Sequence, residues 1–241
     1  MFLRRRKWVT SAVVSSWLVM AAVAAILHAA SGKAVSFRAD DGRTVNALLF
    51  EADQRPAPAV VLVPMLGRSK DDWQGVGQKL SEAGVTALAI DLPAQMLPAD
   101  PKDAGFWPGD VRSAVSFLAG RPEVRPGAIG VAGASLGASI AAQAAAADSR
   151  IRALALISPA LDYRGVRIEG AMRQYGARPA LLLASAHDPY AARSARELAG
   201  KDAPGPREVR LSEVSAHGTL LLAQDADLVR GLIEWFQRVL G

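Results

Sequence analysis

Ala128-Ile129-Gly130-Val131-Ala132-Gly133-Ala134-Ser135-Leu136-Gly137-Ala138-Ser139-Ile140 is the stretch on which the reading of this chain turns. Ala128 to Ala132 is an unbroken small-apolar run of strand length, and an alanine-rich segment with helical character follows to about Ala147. Between them lies Gly133-Ala134-Ser135-Leu136-Gly137, a G-x-S-x-G sequence at a strand-to-helix turn. In that setting the serine is held in a strained conformation with its hydroxyl projecting above a sheet. The elbow glycines Gly133 and Gly137 remove side chains that would collide with neighbouring backbone. Leu136 presents its backbone N–H at the start of the helix, where the dipole favours developing negative charge. The pentapeptide alone would also suit a packing turn or a phosphate loop. The chain has no Gly-Lys-Ser/Thr ending and no G-x-G-x-x-G, so the phosphate readings fit less well.

A serine hydroxyl is a poor nucleophile near neutral pH and needs a base, normally a histidine oriented by a carboxylate. Of the three histidines, His28 lies in an apolar N-terminal run, which leaves His187 and His217. His217 falls in Ser215-Ala216-His217-Gly218-Thr219, between a weak strand at Glu208–Leu211 and a final helix from about Asp225 to Leu240. Asp188 follows the apolar strand Ala180–Ser185, at the strand end where α/β sheets build their sites. The chain order Ser135, Asp188, His217 suits an acyl-transfer triad. Against it stand two plainer readings, Asp188 as a helix cap before Pro189 and His217 as a surface histidine. His187 is expected to neighbour the site without serving as its base.

Outward from this centre the sequence alternates between short aliphatic runs and helix-period segments, the signature of a mostly parallel sheet flanked by helices. Val35–Ala39 and Thr44–Glu51 are expected as an antiparallel pair joined through Asp41-Gly42. Ala57–Val63, Val85–Ile90 and Ile151–Ile157 are further buried strands, and Asp71–Ala83 is a helix. A loop carrying Pro93, Pro98, Pro101 and Pro108 precedes a helix that Asp110 is expected to cap. Only about twenty residues separate the strand ending near Ser158 from the one at Ala180, enough for one short helix at Ile168–Tyr175 and for a minimal lid.

These motifs resemble the α/β-hydrolase superfamily, most closely its compact dienelactone-hydrolase-like branch. Beside the elbow, the likeness rests on Val60-Val61-Leu62-Val63-Pro64-Met65-Leu66-Gly67 with Asp71-Asp72-Trp73, on Ala89-Ile90-Asp91-Leu92 and on Ser215-Ala216-His217-Gly218. It covers the chain from about Ala34 to the end. The resemblance implies an α/β-hydrolase fold and an oxyanion hole built from backbone N–H groups of Leu66 and Leu136, or of Met65 in the other register. Two departures follow. Dienelactone hydrolases use cysteine, and this chain has none, so the lactone substrate does not carry over. Many relatives also have His-Gly where Pro64-Met65 stands. Asp91 precedes Ser135 in the chain, which favours a structural role for it, and Trp73, Trp107 and Trp235 are expected in the core or a pocket wall.

The net charge of +5 does not describe the domain. Arg4, Arg5, Arg6, Lys7 and Lys33 supply it, leaving 23 basic against 23 acidic residues without runs of one sign. That balance argues against nucleic acid as a partner. Trp8 to Ala30 carries no Asp, Glu, Lys or Arg, and with the preceding cations it reads as a signal peptide or membrane anchor over residues 1–33. The domain, residues 34–241, would then lie outside the cytoplasm, either exported and released or held to the membrane. The expected activity is hydrolysis of a small-molecule ester or similar acyl bond through an acyl-enzyme, with no metal or organic cofactor implied. An acyltransferase would use the same residues. The rival from another class is a catalytically silent hydrolase fold serving as an envelope-associated binding protein.

Overall fold

The computed structural model describes residues 32–93, 107–163, 165–200 and 202–241. The export or anchor reading of residues 1–33 falls, but for Gly32 and Lys33, outside the described residues, as does most of the proline-bearing loop. Among the described residues no helix is long and apolar enough to cross a membrane.

Eight strands form one sheet: β1 (Lys33–Arg38), β2 (Thr44–Phe50), β3 (Ala57–Val63), β4 (Thr86–Ile90), β5 (Val124–Ala134), β6 (Ile151–Ile157), β9 (Ala180–Ser185) and β10 (Arg207–Ser212). Their spatial order is β1-β2-β4-β3-β5-β6-β9-β10. β1 and β2 pair antiparallel, as the Asp41-Gly42 turn predicts, and β2 runs antiparallel to β4. From β4 across to β10 every pairing is parallel. The central strands are buried on both faces, which explains their near-continuous apolar runs. On β3, Ala59, Val61 and Val63 point into one core, and Val60 and Leu62 into the other.

Each core is closed by its own helices. The first lies under α2 (Trp107–Ala119), α3 (Leu136–Ala147), α4 (Glu169–Tyr175) and α5 (Pro189–Leu198). The second lies under α1 (Gln74–Glu82), which extends a 3-10 turn at Lys70–Trp73, and under α6 (Thr219–Gln224) and α7 (Ala226–Leu240). Trp73 and Trp235 are fully buried in the second core, and Trp107 is buried in the first.

One expected cap moves. α2 begins at Trp107, with Pro108 in its first turn, so Asp110 is not the residue before the helix. Proline has no N–H to lose there and its fixed φ suits the helix start. Asp110 is instead buried and ion-paired to Arg43 at 2.9 Å, tying α2 to the β1–β2 turn.

The segment between β6 and β9 is as short as its sequence suggests. It holds a two-rung hairpin, β7 (Asp162–Tyr163) with β8 (Val166–Arg167), and then α4. α4 packs its buried Met172 and Tyr175 into the first core. The hairpin leans on α5, where the Tyr190 hydroxyl bridges the N–H and C=O of Asp162 and Ser194 Oγ accepts from Leu161 N–H at 3.3 Å.

Candidate active site

The site sits at the carboxyl ends of the central parallel strands. β5 ends at Ala134 and α3 starts at Leu136, so Ser135 alone makes the turn, with φ 53° and ψ −117°. A Cβ at Gly133 would lie 2.1 Å from the Gly137 carbonyl oxygen, and one at Gly137 would lie 2.3 Å from that of Pro64. Both contacts are with backbone and cannot be relieved by a side-chain shift, so each position requires glycine. The second also brings the loop after β3 onto the first turn of α3.

Asp188 follows β9 and serves two partners. Its Oδ1 accepts from Ala191 N–H at 3.1 Å, capping α5 with Pro189 in the first turn. Its Oδ2 lies 2.6 Å from His217 Nδ1. One carboxylate thus caps α5 through one oxygen and contacts the imidazole through the other. His217 Nε2 lies 2.8 Å from Ser135 Oγ. An ionised carboxylate only accepts, so the proton resides on Nδ1, and Nε2 is left to accept from the serine hydroxyl. The imidazole is about half exposed, its side chain 45% accessible.

Leu136 is the first residue of α3, where a backbone N–H has no intrahelical partner. Leu66 lies in a tight turn closed by the Arg68 N–H to Met65 carbonyl bond at 3.2 Å, with Gly67 at φ 71°. Leu66 and Leu136 belong to the same apolar group beside the elbow. His187 turns away to Glu213, 3.5 Å distant on the exposed surface. Asp91 is engaged elsewhere: its two oxygens accept from Lys70 N–H at 3.0 Å and Lys70 Nζ at 2.8 Å, anchoring the 3-10 turn.

Several residues around His217 meet in ways that no sequence spacing indicates. Ser158 Oγ accepts the Gly218 N–H at 2.9 Å. Thr219 Oγ1 donates to Asp72 Oδ2 at 3.2 Å, and Asp72 also pairs with Arg68 in the loop after β3. Met65 Sδ lies against Gly218, where a Cβ would meet it at 2.6 Å. Only their positions at turns between elements bring them together. Among the described residues there is no group of three His, Cys, Asp or Glu able to hold a metal.

A model of the alpha/beta hydrolase family matches residues 60–239. The chain belongs to that family. The polyketide transferase ATR5 of Stachybotrys chlorohalonatus is 34% identical over 134 residues, covering 54% of this chain and 45% of the relative. The thiohydrolase apmlB of Arthrinium phaeospermum is 29% identical over 147 residues, 58% of this chain and 47% of its own. The chain thus spans about half the length of the curated relatives it matches. Two solved hydrolases share the fold. Dienelactone hydrolase from Anabaena variabilis superposes with a TM-score of 0.67 at 18% identity, over 87% of this chain and 98% of that one. The Pyrococcus furiosus esterase Pf2001 gives 0.70 at 15% identity, over 87% and 93%.

Proposed function

We propose that this α/β hydrolase cleaves a carboxylic ester or similar acyl bond, with Ser135 as nucleophile, His217 as base and Asp188 as the acid that orients it. The observation that carries the reading is the continuous chain of contacts from Asp188 Oδ2 through the imidazole to Ser135 Oγ, at 2.6 Å and 2.8 Å. His217 Nε2 takes the hydroxyl proton as Ser135 Oγ attacks the carbonyl carbon. The carbonyl oxygen becomes an oxyanion facing the N–H groups of Leu66 and Leu136. Collapse of the tetrahedral species expels the alcohol, which receives its proton from His217. Water then repeats the sequence on the acyl-enzyme, with His217 again as base, and releases the acid and the free serine.

Ser135 is half-buried, and only the short hairpin and α4 stand between β6 and β9 to extend a cover over it. Each buried methylene is worth about 0.8 kcal/mol, and chain beyond the covered region adds nothing to transition-state binding. Short-acyl substrates are therefore favoured. The names of the curated relatives support a second reading of the same residues, in which the acyl group leaves a thiol or passes to an acceptor other than water. On the sequence pattern alone, residues 1–33 are proposed to direct the domain across a membrane and to hold it there if uncleaved.

The test is labelling of the full chain with a fluorophosphonate probe, peptide mapping of the adduct, and kcat/KM across p-nitrophenyl esters from acetate to palmitate. An adduct on Ser135 with kcat/KM levelling off after short chains is expected. A folded protein with no adduct and no turnover would favour the silent binding role. A steady rise toward palmitate would overturn the short-acyl reading.

A further inference from the structure

Two non-glycine residues among the described ones have a left-handed backbone, Ser135 at φ 53° and Ser158 at φ 50°. For an L-residue this backbone is unfavourable and persists where surrounding structure imposes it. The elbow accounts for Ser135. Nothing in the acyl-transfer scheme accounts for Ser158.

Ser158 directly follows β6, the strand between the one that delivers Ser135 and the one that leads to Asp188. The three strand ends are linked by backbone. Ser135 N–H donates to the Ile157 carbonyl at 2.8 Å and Ser158 N–H to the Leu183 carbonyl at 2.7 Å, while Asp188 N–H closes the turn after β9 on the Ser185 carbonyl at 3.1 Å. Ser158 is 1% exposed, and its Oγ accepts from Gly218 N–H, the peptide that follows His217. The imidazole reaches inward only to Asp188 and Ser135 and is half exposed, so its placement depends on the backbone that carries it. That backbone is gripped at Gly218 from one side by Ser158 Oγ and packed from the other by Met65 Sδ.

We infer that Ser158 is a positioning residue for His217, the fixed point on the sheet edge that sets where the base stands over Ser135; the inference rests on the proposed function. The residue type fits this task. Glycine would relieve the backbone but offer no acceptor, and threonine would set a branched Cβ at positive φ. Aspartate would place a charge in a buried site with one neutral donor to hold it. Serine supplies a small, uncharged oxygen at the one place where it reaches the Gly218 peptide.

The decisive variant is Ser158→Gly in the full-length chain, because it removes Oγ while relaxing the strained φ. A displaced base lowers kcat by about 10- to 100-fold, with KM within about 2-fold, since ångström-scale misplacement costs reactivity more than binding. The rate of fluorophosphonate labelling at Ser135 should fall in parallel, and the low-field proton resonance of the His217 Nδ1–Asp188 pair should broaden or move upfield. A wild-type kcat per folded molecule with an unchanged resonance overturns the inference, whatever the melting temperature does. If Ser158→Gly does not fold, Ser158→Cys, which keeps the volume with a weaker acceptor, is expected to lose kcat several-fold and is read in the same way. The resonance does not depend on turnover. If the wild-type chain neither labels nor hydrolyses, the proposed function fails, and the resonance alone still decides whether Ser158 holds His217.

Discussion

The two ends of the sheet use polar residues in opposite ways. At the carboxyl edge, side chains pair with side chains from separate elements: Asp188 with His217, His217 with Ser135, Thr219 with Asp72. The central imidazole faces water. At the amino edge, Arg178 donates to four backbone carbonyls, those of Tyr175, Asp148, Ile151 and Ala145, at 2.6–3.0 Å. Its guanidinium also stacks 4.1 Å over the Tyr175 ring, while Arg207 donates to the carbonyls of Arg178 and Gly176. Burial, and to a lesser degree the charge of Arg152, lowers the Arg178 pKa, yet the group stays cationic at any ordinary pH. Burial likewise pushes the Tyr175 phenol up, and its hydroxyl donates to the Pro179 carbonyl. A dense polar cluster is thus no mark of chemistry by itself. Here the difference lies in what the donors face: closed backbone groups at one end, a half-open titratable ring at the other.

Substitutions at the two edges should separate turnover from stability, and the largest effect belongs to the carboxyl edge. Ser135→Ala is expected to lower esterase turnover by at least about 10³-fold while leaving the melting temperature unchanged or higher. His217→Ala should match it, and the double variant should lose little more, because the two act as a unit. Asp188→Asn adds a modest stability loss to its kinetic one, since the same carboxylate caps α5. Steady-state kinetics beside thermal melts measure this. Retained turnover in Ser135→Ala would break the assignment of the carboxyl edge.

Arg178→Met is the mirror experiment. It keeps most of the buried volume and strips the donors from carbonyls in the α3–β6 connection and at the end of α4. A loss of about 2–4 kcal/mol in urea unfolding is expected, with kcat/KM per folded molecule unchanged. A variant of full stability and poor turnover would mean that the amino edge reaches the site, and the contrast between the edges would fail.

The parts legible in the sequence are those governed by local pattern. The strand-turn-helix around Ser135, the apolar strands and the short β6–β9 connection are all written in residue type and spacing. Ser135, Asp188 and His217 stand together in space as their chain order suggests, because a parallel sheet collects strand ends at one edge. What escaped is what depends on distant turns meeting. Ser158 looks like any serine at a strand end, and its contact with Gly218 spans sixty residues. Asp110 reads as a cap in sequence because a polar residue near a helix start carries the same signal whether it faces water or an arginine brought from the β1–β2 turn. Asp188 shows the converse, since the helix cap and the contact with His217, set against each other in sequence, are made by different oxygens of one side chain.

The smallest expected effect tests whether burial or pairing sets the sign of a carboxylate's contribution. Burial raises the Asp148 pKa, but hydrogen bonds to the Arg150 side chain and N–H, with the charges of Arg150 and Arg112, more than offset it and leave the group below its ordinary value of 3.8. Asp110 is the opposite case, where burial outweighs Arg43 and leaves it above 3.8. A depressed folded pKa stabilises above the unfolded value and loses that contribution as pH falls through the folded one; a raised pKa does the reverse, its contribution lost as pH rises through the folded value. The stability difference between Asp148→Asn and wild type should therefore become more unfavourable to the variant between pH 3 and pH 6. Over the same interval the difference for Asp110→Asn should shift in the variant's favour. Urea unfolding of both variants across that interval measures the two slopes, and their opposition is free of the fixed cost of each substitution. Slopes of the same sign would mean that Arg43 holds Asp110 as firmly as Arg150 holds Asp148, despite its deeper burial.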